Sequence, residues 1–266
     1  MNDAVLLEAS EVIKAFGGHR AVDGLTFSLT RGRITGLIGP NGAGKTTLFN
    51  CLAGALPLTA GRIRFDGHEL TGAPPERFFA AGLARTFQIP RPFAQMSVLE
   101  NVMVAPRGQR GERFWTNWLQ RGAVAREERA VRERALHWLD FVGLARLAHE
   151  PARVLSGGQR KLLELARAMV AEPKLVLLDE PGAGVNPALL ETIVDKIAEL
   201  NRQGVSFLII EHNMDLIASL CSPVLVMAQG RLLTQGEPAA VLRDPRVIEA
   251  YLGDAAEPVT SEAAAS

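Results

Sequence analysis

Several things are scarce in this chain, and each scarcity removes a class of function. Cys51 and Cys221 are the only cysteines in 266 residues. Both sit in apolar, helix-like surroundings far apart in sequence, which reads as two buried, reduced thiols and not a metal site or disulfide framework. Charge of either sign is not in excess: 29 Lys and Arg balance 29 Asp and Glu. Without a basic surplus, no nucleic-acid partner is expected. The longest apolar runs, Leu175 to Leu178 and Phe207 to Ile210, are strand-length and too short to cross a bilayer. Met1-Asn2-Asp3-Ala4 lacks the basic-then-apolar pattern of a secretory signal, so the expectation is a cytoplasmic chain. No internal repeat is evident.

What is present begins with a glycine-rich loop. Gly39-Pro40-Asn41-Gly42-Ala43-Gly44-Lys45-Thr46 fits G-x-x-x-x-G-K-[ST] at every fixed position. Backbone N–H groups must point at phosphate oxygens, and side chains would block them, so Gly39, Gly42 and Gly44 leave the backbone bare. Lys45 sets a point charge against the β- and γ-phosphates, and the Thr46 hydroxyl is a hard oxygen ligand for Mg²⁺. The apolar run Ile34 to Ile38 predicts the strand before the loop, and Thr47 to Ala53 the helix after it, stopped at Gly54. That helix offers its N-terminal dipole to the phosphates.

A second constellation follows. Leu175 to Leu178 is an apolar strand ending in Asp179-Glu180. In a P-loop fold a strand neighbouring the P-loop strand ends beside the phosphates, where Asp179 can hold Mg²⁺. Glu180 points elsewhere and can polarise the attacking water. His212, after the strand Phe207 to Ile210, reaches the same crevice. Gln88, past another apolar run, offers an uncharged amide to metal or water. Leu155-Ser156-Gly157-Gly158-Gln159 is a second glycine loop, with Ser156 as N-cap of a helix over 157–171.

The chain is α/β, and its pattern changes along its length. Residues 5–35 alternate apolar and polar, predicting short antiparallel strands around Gly17-Gly18, with another strand between Gly61 and Gly67. Residues 96–172 read as helical, and the charged face from Arg126 to Arg134 as a solvated helix surface. Strands and helices alternate again after 173. The Ala-, Glu- and Ser-rich tail, 254–266, is expected to be disordered.

The order of these motifs resembles the ATP-binding cassette (ABC) ATPases. Residues 39–46 look like their Walker A loop, Gln88 like the Q-loop glutamine, and Leu155 to Gln159 like the signature motif without change. Asp179 looks like the Walker B aspartate, Glu180 like the catalytic glutamate, His212 like the switch histidine, and Phe16 like the adenine-stacking aromatic. The resemblance implies a single domain over 5–253: a P-loop NTPase (RecA-like) core from 5–88 and 173–253, with an antiparallel β subdomain and an inserted α-helical subdomain over about 89–172. It implies ATP held by Phe16, residues 39–47 including Thr47, and Ser156, Gly157, Gly158 and Gln159. It implies Mg²⁺ at Thr46, Gln88 and Asp179, and catalysis by Glu180, His212 and Gln88. In this family the signature helix faces the nucleotide on a second ATPase subunit, the same chain or a paralogue, so the two glycine loops serve different sites.

Pro181 to Pro187 departs from the usual family pattern, with Asn186 where an aspartate is common. That segment, together with Ala84 to Gln88, Glu211 to Met214, Val247 to Gly253 and the insertion around Phe114, Trp115 and Trp118, is similar to the branched-chain amino acid importers. The resemblance implies an ATPase at the cytoplasmic face of a bacterial inner membrane, docked on transmembrane permease subunits and served by a periplasmic solute-binding protein. Pro90 to Gln95 and the aromatic cluster Phe114, Trp115 and Trp118 are docking candidates, although aromatics there equally fit a helical core. An importer of another cargo, such as urea or amides, is an alternative. Non-transport cassettes of translation or DNA repair carry paired cassettes with charged linkers or long coiled coils, and neither is seen.

Overall fold

The computed structural model describes residues 4–86, 91–106 and 121–255. Gln88, Pro90, Phe114, Trp115, Trp118 and residues 256–266 lie outside them. The chain opens with β1 (Val5–Phe16) and β2 (His19–Thr30), two long antiparallel strands turned at Gly17, whose φ is 59°. Next come β3 (Ile34–Ile38), α1 (Lys45–Leu52), β4 (Ala60–Phe65), β5 (His68–Glu69), α2 (Pro75–Ala81) and β6 (Leu83–Arg85). A helical stretch follows with α3 (Val98–Met103), α4 (Arg121–Phe141) and α5 (Gly157–Met169). The chain then runs through β7 (Leu175–Asp179), α6 (Pro187–Arg202), β8 (Ser206–Ile210), α7 (Met214–Leu220), β9 (Val224–Ala228), β10 (Arg231–Gly236), α8 (Pro238–Val241) and α9 (Pro245–Ala255).

Two sheets result. One is antiparallel, in the order β2-β1-β4-β5. The other runs β10-β9-β3-β8-β7-β6 and is parallel except where β10 pairs with β9. Every residue of β3, β7 and β8 is buried, which explains their unbroken apolar runs: both faces of the sheet are covered. Alternation decides which face each side chain meets. Leu175 and Leu177 join Phe49, Leu52 and Phe65 under α1 and the antiparallel sheet. Val176 and Leu178 join Val98, Leu139, Leu163 and Ile197 beneath the helices. The helical stretch thus packs into one continuous core with the sheet's second face.

Strand order corrects one expectation. The acid-pair strand β7 does not neighbour β3; β8 lies between them. The register still aligns Leu37 with Ile210 and Ile210 with Asp179, so the three strand ends share one rim. The structure also corrects the start of the segment expected to be disordered, because residues 254 and 255 are helical. The helix α9 extends through Asp254 to Ala255, anchored by buried Val247 and, four residues on, by Tyr251 against the same core. Both cysteines are buried as expected, and burial pushes their thiols up to about 11 for Cys51 and about 12 for Cys221. Among the described residues no helix is long and apolar enough to cross a membrane.

A buried amide organises the approach to the helical stretch. Asn101 is fully buried. Its Oδ1 accepts from Phe93 N at 2.8 Å, and its Nδ2 donates to the carbonyls of Phe93 (3.0 Å) and Ser97 (2.9 Å). These bonds hold the segment before α3 and keep Phe93 half exposed under the Arg167 guanidinium, 5.7 Å from the ring centroid. Asn101→Ala strands these backbone groups in a dry site, so we expect a loss of about 2–3 kcal/mol of stability, read as a shift in urea midpoint with unchanged slope. A variant as stable as the wild type would contradict this role.

Candidate functional site

The P-loop is pinched between the two sheets. A Cβ on Gly39 (φ 153°) would lie 2.0 Å from the carbonyl oxygen of Met227 in β9. One on Gly44 (φ 95°) would lie 2.1 Å from that of Ala21 in β2. Only glycine fits either position. Gly44 N-caps α1 with no side-chain cap, so the first-turn N–H groups keep their donors for an anion. Lys45 is buried, and its Nζ folds back to donate to the carbonyls of Gly39 (2.7 Å) and Pro40 (2.8 Å).

Around this loop opens a cleft of about 400 Å³. Its walls are Phe16, the stretch from Asn41 through Thr46 to Thr47, Glu180 and His212. Phe16 sits at the end of β1 with its ring half exposed and Lys14 Nζ 5.1 Å from the ring centroid. His212 Nε2 lies 3.0 Å from Glu180 Oε1. A carboxylate acts only as acceptor, so the contact is a hydrogen bond to it in the tautomer that carries its proton on Nε2.

Glu180 leaves its strand in a left-handed conformation, φ 49°. A non-glycine residue there costs about 1–2 kcal/mol, and specific bonds hold it. Its N–H donates to Ile210 O at 2.9 Å, while its carbonyl accepts from Ala183 N at 3.1 Å and from Lys161 Nζ at 2.6 Å. Buried Glu211 ties the neighbouring turns together. Its carboxylate accepts from Gly182 N at 2.6 Å and from His212 N at 3.1 Å. Asp179 is also buried, which raises its carboxyl above the usual range, opposed by Arg85, whose Nη2 is 3.6 Å away. Arg85 Nη1 in turn donates to Asn50 of α1 at 2.6 Å, linking the helix of the P-loop to the acid pair.

The second glycine loop stands apart from this cleft. Ser156 caps α5 by accepting from Gln159 N at 3.3 Å, and the Gln159 side chain answers by accepting from Ser156 N at 2.9 Å. In this structure Gln159 therefore serves its own helix. A Cβ on Gly157 would meet open space, whereas one on Gly158 would lie 2.1 Å from Leu189 Cδ2. Gly157 thus presents bare backbone outward, and Gly158 lets α5 seat against α6. Asn186 is the N-cap of α6, its Oδ1 accepting from Leu189 N at 2.9 Å, a bond that needs no charge.

Phe16, the P-loop, Glu180 and His212 are brought to one cleft; Asp179, paired with Arg85, and Ser156 to Gln159 are not among its walls; and Gln88 is outside the described residues. Sequence reading assigned no individual role to Arg85, Lys161 or Glu211. Glu211 could have been noticed as a carboxylate closing an all-buried strand end, which demands donors. Lys161 follows Arg160 and reads as one more solvated base.

Residues 22–183 match the ABC transporter family, and residues 231–257 the branched-chain amino acid ATP-binding cassette transporter family. The chain is 41% identical over 248 residues to a probable branched-chain amino acid transport ATP-binding protein LivG of Archaeoglobus fulgidus, covering 93% of this chain and 95% of that one. It is 40% identical to the high-affinity branched-chain amino acid transport ATP-binding protein BraF of Pseudomonas aeruginosa, covering 94% and 98%. A crystal structure of the ADP conformation of an ABC transporter's ATP-binding cassette superposes with a TM-score of 0.81 at 37% identity, covering 94% and 99%.

Proposed function

The chain belongs to the ABC transporter ATPases, and from that premise we propose that it is the ATP-hydrolysing subunit of a bacterial importer for branched-chain amino acids. The observation that supports this most is the single cleft holding the P-loop, Phe16, Glu180 and His212 together, in a chain whose end matches the branched-chain subfamily.

The chemistry follows from the residues. Phe16 stacks on adenine. P-loop N–H groups and Lys45 bind the phosphates. Glu180 takes a proton from water as its oxygen attacks the γ-phosphorus and the bond to the β–γ bridging oxygen breaks, leaving ADP. His212 Nε2–H orients that carboxylate. Thr46 and Asp179, both hard oxygen donors, fit magnesium, which usually takes one or two protein oxygens beside phosphates and water. When bound, magnesium would neutralise charge on the β- and γ-phosphate oxygens. Gln88 joins this set as the family's metal and water contact.

Two such cassettes close over two ATP molecules, with Ser156 and Gly157 of one chain facing the γ-phosphate on the other. One chain carries every motif, so a second copy can complete both sites, and we propose that pairing over one with a paralogue. Closure is passed to permease subunits at the cytoplasmic face of the inner membrane, supplied by a periplasmic binding protein. Half-exposed Phe93 is a permease contact: Phe93→Glu is expected to cut co-purification of the permease subunits at least about tenfold, while intact assembly would remove it from the interface. The function itself is tested by deleting the gene and measuring ATP-dependent uptake of labelled leucine, isoleucine and valine beside urea and short amides. Loss confined to the branched-chain amino acids is expected. Unchanged uptake of all three, or loss confined to urea or amides, would overturn the assignment.

A further inference from the structure

Among the described residues of the cleft wall, Glu180 is the only non-glycine residue with left-handed backbone, and the helix that reaches it is the one begun by the second glycine loop. Lys161 stands just over one turn into α5, following Ser156 and Gly157 on the same helix. Its Nζ donates to the Glu180 carbonyl at 2.6 Å. The ammonium is not a solvated surface charge. It is partly buried, and burial lowers its pKa against the pull of Glu211, Glu180 and Asp179. The position is well braced: Gly158 lets α5 seat against Leu189, and the Glu211 carboxylate ties Gly182, near Glu180 in sequence, to His212, whose ring meets the Glu180 carboxylate.

From this juxtaposition we propose that Lys161 is a positioning residue that couples the two ATP sites: it transmits the placement of the signature helix, which serves one site, to the backbone of the glutamate that serves the other. The proposal rests on the two-cassette reading above. Ser156 and Gly157 sense the γ-phosphate held by the second chain. A shift of α5 on that contact is carried one turn along a rigid helix to the Lys161 ammonium, and from there to the carbonyl of Glu180. The carboxylate 3.0 Å from His212 moves with its own backbone. The base of one site is therefore set in place only when the neighbouring site is filled and closed.

The test uses the full-length chain with magnesium and ATP. In Lys161→Met, kcat is expected to fall about 30- to 100-fold, as for a reacting group displaced by about 1 Å. KM and nucleotide affinity should stay within about twofold, and the Hill coefficient for ATP should drop toward one. Lys161→Arg, which keeps a donor within reach of the carbonyl, should recover kcat to within about threefold. Sedimentation of Glu180→Gln, with and without Lys161→Met, separates the layers: both should form ATP-dependent dimers. If Glu180→Gln does not dimerise, the two-cassette reading falls and the coupling with it. If it dimerises while Lys161→Met turns over normally, only the coupling is overturned. The coupling is equally overturned if Lys161→Met abolishes dimerisation, because the lysine would then merely support its helix, or if Lys161→Arg is no faster than Lys161→Met.

Discussion

Replacing Glu180 with Gln is expected to lower kcat for ATP hydrolysis by about 10²- to 10⁴-fold, the usual contribution of a positioned general base, with nucleotide affinity changed by no more than about twofold. The side chain keeps its shape. An amide oxygen can still accept from His212 Nε2, 3.0 Å away, and the backbone bonds to Ile210, Ala183 and Lys161 do not involve the side chain. Only the ability to take a proton is lost. The P-loop donors and Lys45 are untouched, so ATP should still bind and wait. Phosphate release under single-turnover conditions reads the chemical step directly, and a normal rate would remove Glu180 from the role of base.

Lys45→Ala should act on the opposite quantity. The Lys45 ammonium is buried beneath the P-loop and in this structure satisfies the carbonyls of Gly39 and Pro40. In the proposed function the same charge faces the β- and γ-phosphates when ATP enters. Hydrogen bonds to charged groups are worth about 1.5–3 kcal/mol, so affinity should fall about 10- to 150-fold. The effect should appear in titration calorimetry with ATP in the absence of magnesium, which isolates the lysine from the metal. Affinity within about threefold of the wild type would mean that the helix N-terminus and loop N–H groups carry the phosphates alone.

Much of this was legible in residue order, and for identifiable reasons. The P-loop was readable because its glycines answer a local steric demand, and the structure displays that demand as clashes at Gly39 and Gly44. The buried strands were readable because two-sided burial writes continuous apolar runs. Strand order was not: nothing local in Leu175 to Asp179 says that β8 intervenes before β3, since adjacency is settled by where the crossover helices pack. Arg85, Lys161 and Glu211 escaped for a related reason. Each acts across the fold, on Asp179, on the Glu180 carbonyl and on Gly182, and none sits at a spacing that marks it. Asn186 is the converse. It looked like a lost charge in sequence, and in the fold it is a helix cap that a neutral amide makes as well as a carboxylate.

The two glycine loops have opposite settings in this chain: one closes a cleft with Phe16, Glu180 and His212, and the other turns bare Gly157 backbone outward. The most direct test of their proposed union is the mass of Glu180→Gln in solution. Sedimentation equilibrium with magnesium and ATP should give twice the 28.7 kDa of the single chain, reverting without nucleotide. Adding Ser156→Arg should leave ATP bound to a monomer. A Glu180→Gln chain that binds ATP and remains at 28.7 kDa would contradict the intermolecular site.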